Sequence, residues 1–216
     1  MPPDGRPRGD LGATSVREVD TPHGPARLHA QPVPGARAGL VLGHGAGGGI
    51  AARDLVGAAD TARAHGVSVV LVDQPYRVAG RRSPPPAAHL DTAWRAVVAE
   101  LRTVELRGLR LVVGGRSSGA RVACRTADDV GAAGVLCLAF PLVPPARRTG
   151  STPVSRLPEL EAVSVPVLVV QGANDRFGIP PAAPRRTVAV VPGDHSLRSG
   201  AAELRAAVAA WLEDVV

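Results

Sequence analysis

Three side chains in this sequence have the types and spacing for nucleophilic acyl transfer: Ser117, Asp175 and His195. Ser117 lies in Gly115-Arg116-Ser117-Ser118-Gly119, a G-x-S-x-G pattern preceded by the apolar run Leu109 to Val113 and followed by helical sequence. In a nucleophile elbow the serine occupies a strained strand-to-helix turn, and the flanking glycines let neighbouring backbone pass where a Cβ would clash. Asp175 follows the apolar run Val167 to Val170 through Gln171-Gly172-Ala173-Asn174, and His195 follows Val190-Val191 through Pro192-Gly193-Asp194. In that chain order the imidazole can take the serine proton during attack and return it to the leaving group, while the carboxylate orients the ring. The expected chemistry is hydrolysis of an ester, thioester or related small acyl substrate through an acyl-enzyme intermediate. Asp194 adjoins the histidine, but adjacent side chains usually point apart, so it is expected to serve loop hydrogen bonding.

An oxyanion needs donors as well. Gly43-His44-Gly45-Ala46-Gly47-Gly48 follows an apolar run, and an HG-x-G segment there can supply one backbone N–H while the residue after the nucleophile supplies another. Ala46 and Ser118 are the expected donors. His44, Tyr76 and Arg116 are candidate substrate contacts, although His44 could instead hold the oxyanion loop and Arg116 could pair with a carboxylate. Arg77, Arg81, Arg82, Arg116 and Arg176 lie on or near segments at the catalytic end, which admits an anionic substrate in a chain whose composition is rich in arginine anyway. His23, His29, His65 and His89 show no partner pattern and are expected at the surface.

These residues require elements to position them. Short runs rich in β-branched residues alternate with stretches of helical periodicity, the pattern of βα units feeding a mostly parallel sheet with helices on both faces. Ala13–Asp20 and Ala26–Val33, joined through Pro22, Gly24 and Pro25, predict an antiparallel hairpin at the N-terminal side. Parallel strands are expected over Gly39–Gly43, Val67–Asp73, Arg110–Val113, Val135–Ala139, Val165–Val170 and Thr187–Val191, each nearly all apolar as befits strands covered on both faces. Leu90, Ala93, Trp94, Val97, Leu101 and Val104 recur at helical spacing, as do Leu204, Ala207, Val208, Trp211 and Val215, with Ser199 as the expected N-cap of the second helix. Both tryptophans therefore belong to the core. Two proline-rich stretches, Ser83–Pro86 and Pro141–Pro158, should be surface loops near the site, since proline neither continues a helix nor pairs centrally in a sheet. One domain over residues 13–216 is expected, preceded by a loose tail over residues 1–12 and with no separate lid.

Composition narrows the partners. The net charge of +6 would raise nucleic acid, but the arginines are scattered and aromatic residues make up only 2%, too few for a platform that stacks bases. No apolar stretch approaches the roughly 20 residues that span a bilayer, so no membrane partner is expected, and a cytoplasmic location is the default. Cys124 and Cys137 fall in apolar stretches without metal-ligand spacing and are expected as buried thiols. No metal or cofactor is implied.

The residues resemble the α/β-hydrolase superfamily, and within it the small, lidless dienelactone-hydrolase-like group, over nearly the whole chain. More narrowly, the Gly43–Gly48 segment, Asp73-Gln74-Pro75-Tyr76-Arg77, Phe140-Pro141-Leu142, Gln171-Gly172 through Phe177-Gly178 and Gly193-Asp194-His195 look like a branch that includes bacterial hydrolases, a eukaryotic testis-expressed protein and a subunit of a histone acetyltransferase complex. That branch more often carries methionine and a second glycine where this chain has Ser118 and Ala120. Two other classes compete. Gly43, Gly45 and Gly48 with Asp73 also fit a dinucleotide-binding fingerprint; against it stand the preceding hairpin, the adjoining His44 and a Ser-Asp-His constellation that would have no purpose. A non-catalytic interaction module on the same fold is the other, because fold does not determine function.

Overall fold

The computed structural model describes residues 14–144 and 153–216. The expected tail, residues 1–12, and the middle of the second proline stretch, residues 145–152, lie outside the described residues.

Strands β1 (Ser15–Val19) and β2 (Ala26–Gln31) form the expected antiparallel hairpin, with Ser15 opposite Ala30. Six mutually parallel strands follow: β3 (Ala38–Gly43), β4 (Val67–Asp73), β5 (Arg110–Arg116), β6 (Gly134–Leu138), β7 (Val167–Gly172) and β8 (Arg186–Val191). The sheet order is β1-β2-β4-β3-β5-β6-β7-β8, and β2 joins β4 antiparallel. Helices α1 (Arg53–Ala64), α2 (Pro75–Val78), α3 (Ala87–Thr103), α4 (Ser118–Thr126), α5 (Leu157–Glu161) and α6 (Ala201–Val215) connect or close the strands.

Successive strand residues point to opposite faces, and the core divides accordingly. Leu40, Leu42, Leu136 and Leu168 pack with Leu55 of α1 and with Val208 and Trp211 of α6. Val41, Val113, Val135 and Val169 pack with Trp94 and Val97 of α3 and Ala123 of α4 on the other side. Each fully buried leucine stabilises the fold by about 1.5–3 kcal/mol. The architecture is thus a mostly parallel sheet with an N-terminal hairpin, helices on both faces and, among the described residues, no separate lid. Among the described residues no helix is long and apolar enough to cross a membrane.

Three local expectations are corrected. Strand β5 continues past Val113 through Gly114 and Gly115 to Arg116. Glycine is a poor strand former, but here a Cβ on Gly115 would come within 2.5 Å of the Gly43 carbonyl oxygen, so close packing of β5 against β3 overrides propensity. Helix α6 is capped by Gly200 rather than Ser199, with no side-chain cap; Ser199 instead lies against Gly193. Pro158 sits within the first turn of the short helix α5, where its missing N–H is one that the helix would leave unpaired in any case.

Candidate active site

The end of β5 and the start of α4 meet at Ser117, whose backbone has φ 52° and ψ −105°. A non-glycine residue in that region is strained and persists only when its surroundings hold it there. They do: the Ser117 N–H donates to Leu138 O (2.8 Å), and the Ser117 carbonyl accepts from the Arg121 N–H (3.2 Å). Gly119 is required because a Cβ there would collide with the Gly43 carbonyl. The turn therefore seats α4 directly on the end of β3 and lifts the serine side chain clear of the sheet.

The loop after β8 brings His195 to this turn. Its Nε2 lies 3.0 Å from Ser117 Oγ and its Nδ1 lies 2.8 Å from Asp175 Oδ2. A carboxylate only accepts, so Nδ1 carries the proton and Nε2 is left to accept from the serine hydroxyl. The side chain of Asp175 is fully buried near the start of the loop after β7, and its other contacts are all donors: Gln171 Nε2 to Oδ2 (2.7 Å) and the Phe177 N–H to Oδ1 (2.9 Å). Gln171 Nε2 also reaches Phe140 O (3.1 Å) and Gly178 O (3.0 Å), which ties the acid to two neighbouring segments. Gly172 makes the meeting of the two loops possible, since a Cβ there would strike the Asp194 carbonyl.

Asp194, adjacent to the histidine, turns away from it and accepts from the Ser196 N–H (2.8 Å) and the Ser196 hydroxyl (2.6 Å). Those bonds hold its exposed carboxyl below the usual range.

The segment after β3 is held from below. His44 Nδ1 donates to Gly45 O (2.9 Å) and Nε2 accepts from the Gln74 N–H (3.1 Å), so the ring is neutral; burial also lowers its pKa. The Tyr76 hydroxyl donates to Ala46 O (3.2 Å), and burial pushes its pKa up. His44 and Tyr76 thus direct their polar atoms at the loop backbone rather than at a substrate. Among the described residues, the N–H groups of Ala46 and Ser118 have no acceptor, and Ser118 opens α4, whose N-terminal end favours negative charge.

Arg116 likewise has a local occupation. Its Nε donates to Asp54 Oδ2 (2.7 Å) and its Nη2 to the His195 carbonyl (3.1 Å). A Cβ on Gly45 would sit 2.9 Å from Arg116 Nη1, so glycine there gives the guanidinium its passage beneath the loop. One side chain, next to the serine, therefore touches the oxyanion segment, the first turn of α1 and the histidine loop. Burial pushes the Asp54 carboxyl up, and the Arg116 charge opposes that shift.

Some contributors carry no legible signal in sequence. Phe177 lies against the His195 ring, centroids 4.5 Å apart, and the Arg176 guanidinium lies over the phenylalanine ring at 4.9 Å. His29, expected at the surface, is half-buried with Nε2 3.1 Å from Asp73 Oδ2. That bond crosses from β2 to β4, and it occupies the carboxylate that a dinucleotide site would need for a ribose. His23 and His89 stack at 4.1 Å. Cys124 and Cys137 are buried free thiols. Among the described residues no three His, Cys, Asp or Glu side chains gather as a metal site requires.

Comparison with known proteins agrees with this fold. Residues 36–205 match the family model described as an alpha/beta hydrolase domain. The structure is similar to that of XC6422 from Xanthomonas campestris, a member of the α/β serine hydrolases without a lid (TM-score 0.71, 20% identity, 95% of this chain and 97% of that one). It is similar as well to Est1E from Butyrivibrio proteoclasticus (TM-score 0.74, 14% identity, 92% and 98%) and to a dienelactone hydrolase from Anabaena variabilis (TM-score 0.73, 13% identity, 94% and 98%). No curated protein matches the sequence.

Proposed function

The chain belongs to the alpha/beta hydrolase domain family, and on that premise we propose that it is a serine hydrolase of a small ester, thioester or related acyl compound, with Ser117 as nucleophile. The observation that carries this reading is the unbroken relay from Ser117 Oγ through His195 to Asp175, at 3.0 and 2.8 Å.

The steps follow from the contacts. Ser117 Oγ attacks the acyl carbon as its proton passes to His195 Nε2. Asp175, with its other lone pairs engaged by Gln171 and Phe177, stabilises the resulting imidazolium and fixes its orientation. The oxyanion is received by the N–H groups of Ala46 and Ser118, whose lack of acceptors supports that role; losing one such donor typically costs about 2.7–4 kcal/mol of transition-state stabilisation. His195 then protonates the leaving oxygen or sulfur, the acyl–heteroatom bond breaks, and water repeats the sequence on the acyl-serine. Arg116 acts as a positioning residue through the His195 carbonyl, and the likeness of the Gly43–Gly48, Asp73–Arg77 and Gly193–His195 segments supports kinship with the branch that includes the testis-expressed protein.

A fluorophosphonate probe tests the proposal. The folded protein should be labelled at Ser117, identified by peptide mass, and should turn over activated esters. Folded protein that is neither labelled nor active would overturn it in favour of an interaction module.

A further inference from the structure

Beside Ser118 lies a cleft of about 870 Å³ whose walls include Pro84, Pro86, Leu90, Pro144 and Val154. Both proline stretches therefore contribute to it. Proline offers ring methylenes and no N–H, so these walls present little for a polar ligand to bond. Arg121 and Arg125 of α4 and Glu159 of α5 also reach the cleft, as do Ser155 and Arg156, the latter donating from Nη1 to Pro141 O (3.1 Å).

Arg121 stands one helical turn beyond the nucleophile. Left free, it would anchor a carboxylate on the acyl chain of a substrate, because guanidinium matches carboxylate in a bidentate manner. Here the fork is filled: Arg121 Nε donates to Glu159 Oε2 (2.9 Å) and Nη2 to Glu159 Oε1 (2.5 Å). Arg125 Nη1 donates to the same carboxylate (3.2 Å), while its other edge is bidentate to Asp91 at 2.8 and 2.7 Å. Two guanidiniums thus meet two carboxylates and the cluster is neutral. Its side chains are only 11–24% exposed, so solvent screens the pairs weakly.

We infer that this cleft takes an uncharged, apolar acyl group and that Glu159 determines that selectivity by closing Arg121 and Arg125 to substrate. The inference rests on Ser117 being the nucleophile. A carboxylated acyl chain entering the cleft would lose hydration, meet apolar proline walls and face Glu159 with both neighbouring forks occupied.

The experiment compares p-nitrophenyl hydrogen glutarate with the uncharged p-nitrophenyl methyl glutarate. Wild type should favour the uncharged ester by about tenfold or more in kcat/KM, the factor that about 1.4 kcal/mol represents. Glu159→Gln, which keeps the side-chain shape but removes its charge, should bring the two esters to within about threefold or reverse their order. Asp91→Asn, which releases Arg125 from the other side, should move the ratio the same way and serves if Glu159→Gln fails to fold. Turnover of both esters at equal rates, unchanged by these variants but lost in Ser117→Ala, would overturn the inference and leave the nucleophile standing. Absence of turnover together with absence of fluorophosphonate labelling would overturn both.

Discussion

At the carboxyl end of the sheet Arg116 meets Asp54, whose side chain is 2% exposed, and continues to a carbonyl of the histidine loop. At the β1 edge Arg17 meets Glu105 bidentately (2.6 and 2.9 Å) and Glu100 at 3.3 Å, with its own side chain 36% exposed. Both regions use an arginine to join elements distant in sequence. They differ in what depends on the join. At the edge the ion pairs fasten a strand to the end of α3, and solvent does much of the same work when they are lost. At the site the pair is buried and its geometry is passed to the loop that holds His195. An arginine count says nothing of this difference; the burial of the partner carboxylate and the third atom contacted decide it.

Substitutions should separate the two regions, with the largest effects at the site. Ser117→Ala should lower kcat by about a millionfold while the melting temperature stays within a few degrees, read by steady-state ester assays and calorimetry; substantial turnover by the folded variant would end the assignment. Asp175→Asn should lower kcat by roughly ten-thousandfold with KM nearly unchanged, whereas Asp194→Asn should barely alter it. The reverse ranking would transfer the acid's role.

Arg116→Gln tests the comparison itself. It leaves Asp54 buried without its partner, a loss of about 3–5 kcal/mol, and removes a charge-assisted bond to His195, so kcat should fall about tenfold or more on charged and neutral esters alike. Adding Asp54→Asn should recover most of the melting temperature but not kcat, which would show positioning apart from stability. Loss confined to charged esters would instead make Arg116 a substrate contact.

The smallest effect belongs to the edge. The hydrogen bond from Arg17 holds the Glu105 carboxyl below its ordinary range, so its folded pKa lies under the unfolded one. The stability from that pair is present above the unfolded value, near pH 4.3, and is lost as pH falls through the folded value. Glu105→Gln should melt about 1–3 °C below wild type at neutral pH, the shift expected for under about 1 kcal/mol; the gap should close below pH 4 and activity should not change. Loss of activity in this variant would erase the distinction between the regions.

Much of this was legible in the sequence because it rests on local pattern. Alternating apolar runs and helical stripes placed the hairpin, four of the six parallel strands to within a residue at each end, β7 two residues early, and both tryptophans in the core. Gly115 and Gly119 marked the elbow, and strand ends marked Asp175 and His195. What escaped depends on approach between distant segments. The extension of β5 follows from packing on Gly43, the Asp73–His29 bond joins residues from different strands, and Asp54 has no signal beyond being an acid at the start of a helix. Gln171 stood in view within a motif, but its part in holding Asp175 requires knowing that Phe140 and Gly178 converge on the same amide.

The positive φ at Ser117 has a further meaning. Any residue other than glycine at such a place stores about 1–3 kcal/mol of strain, so folding alone would favour replacing the serine with glycine, and Ser117→Gly should melt above wild type. The backbone and the hydroxyl thus make opposite demands on this position: glycine would ease the turn, whereas serine, at a cost in strain, carries the oxygen that reaches His195.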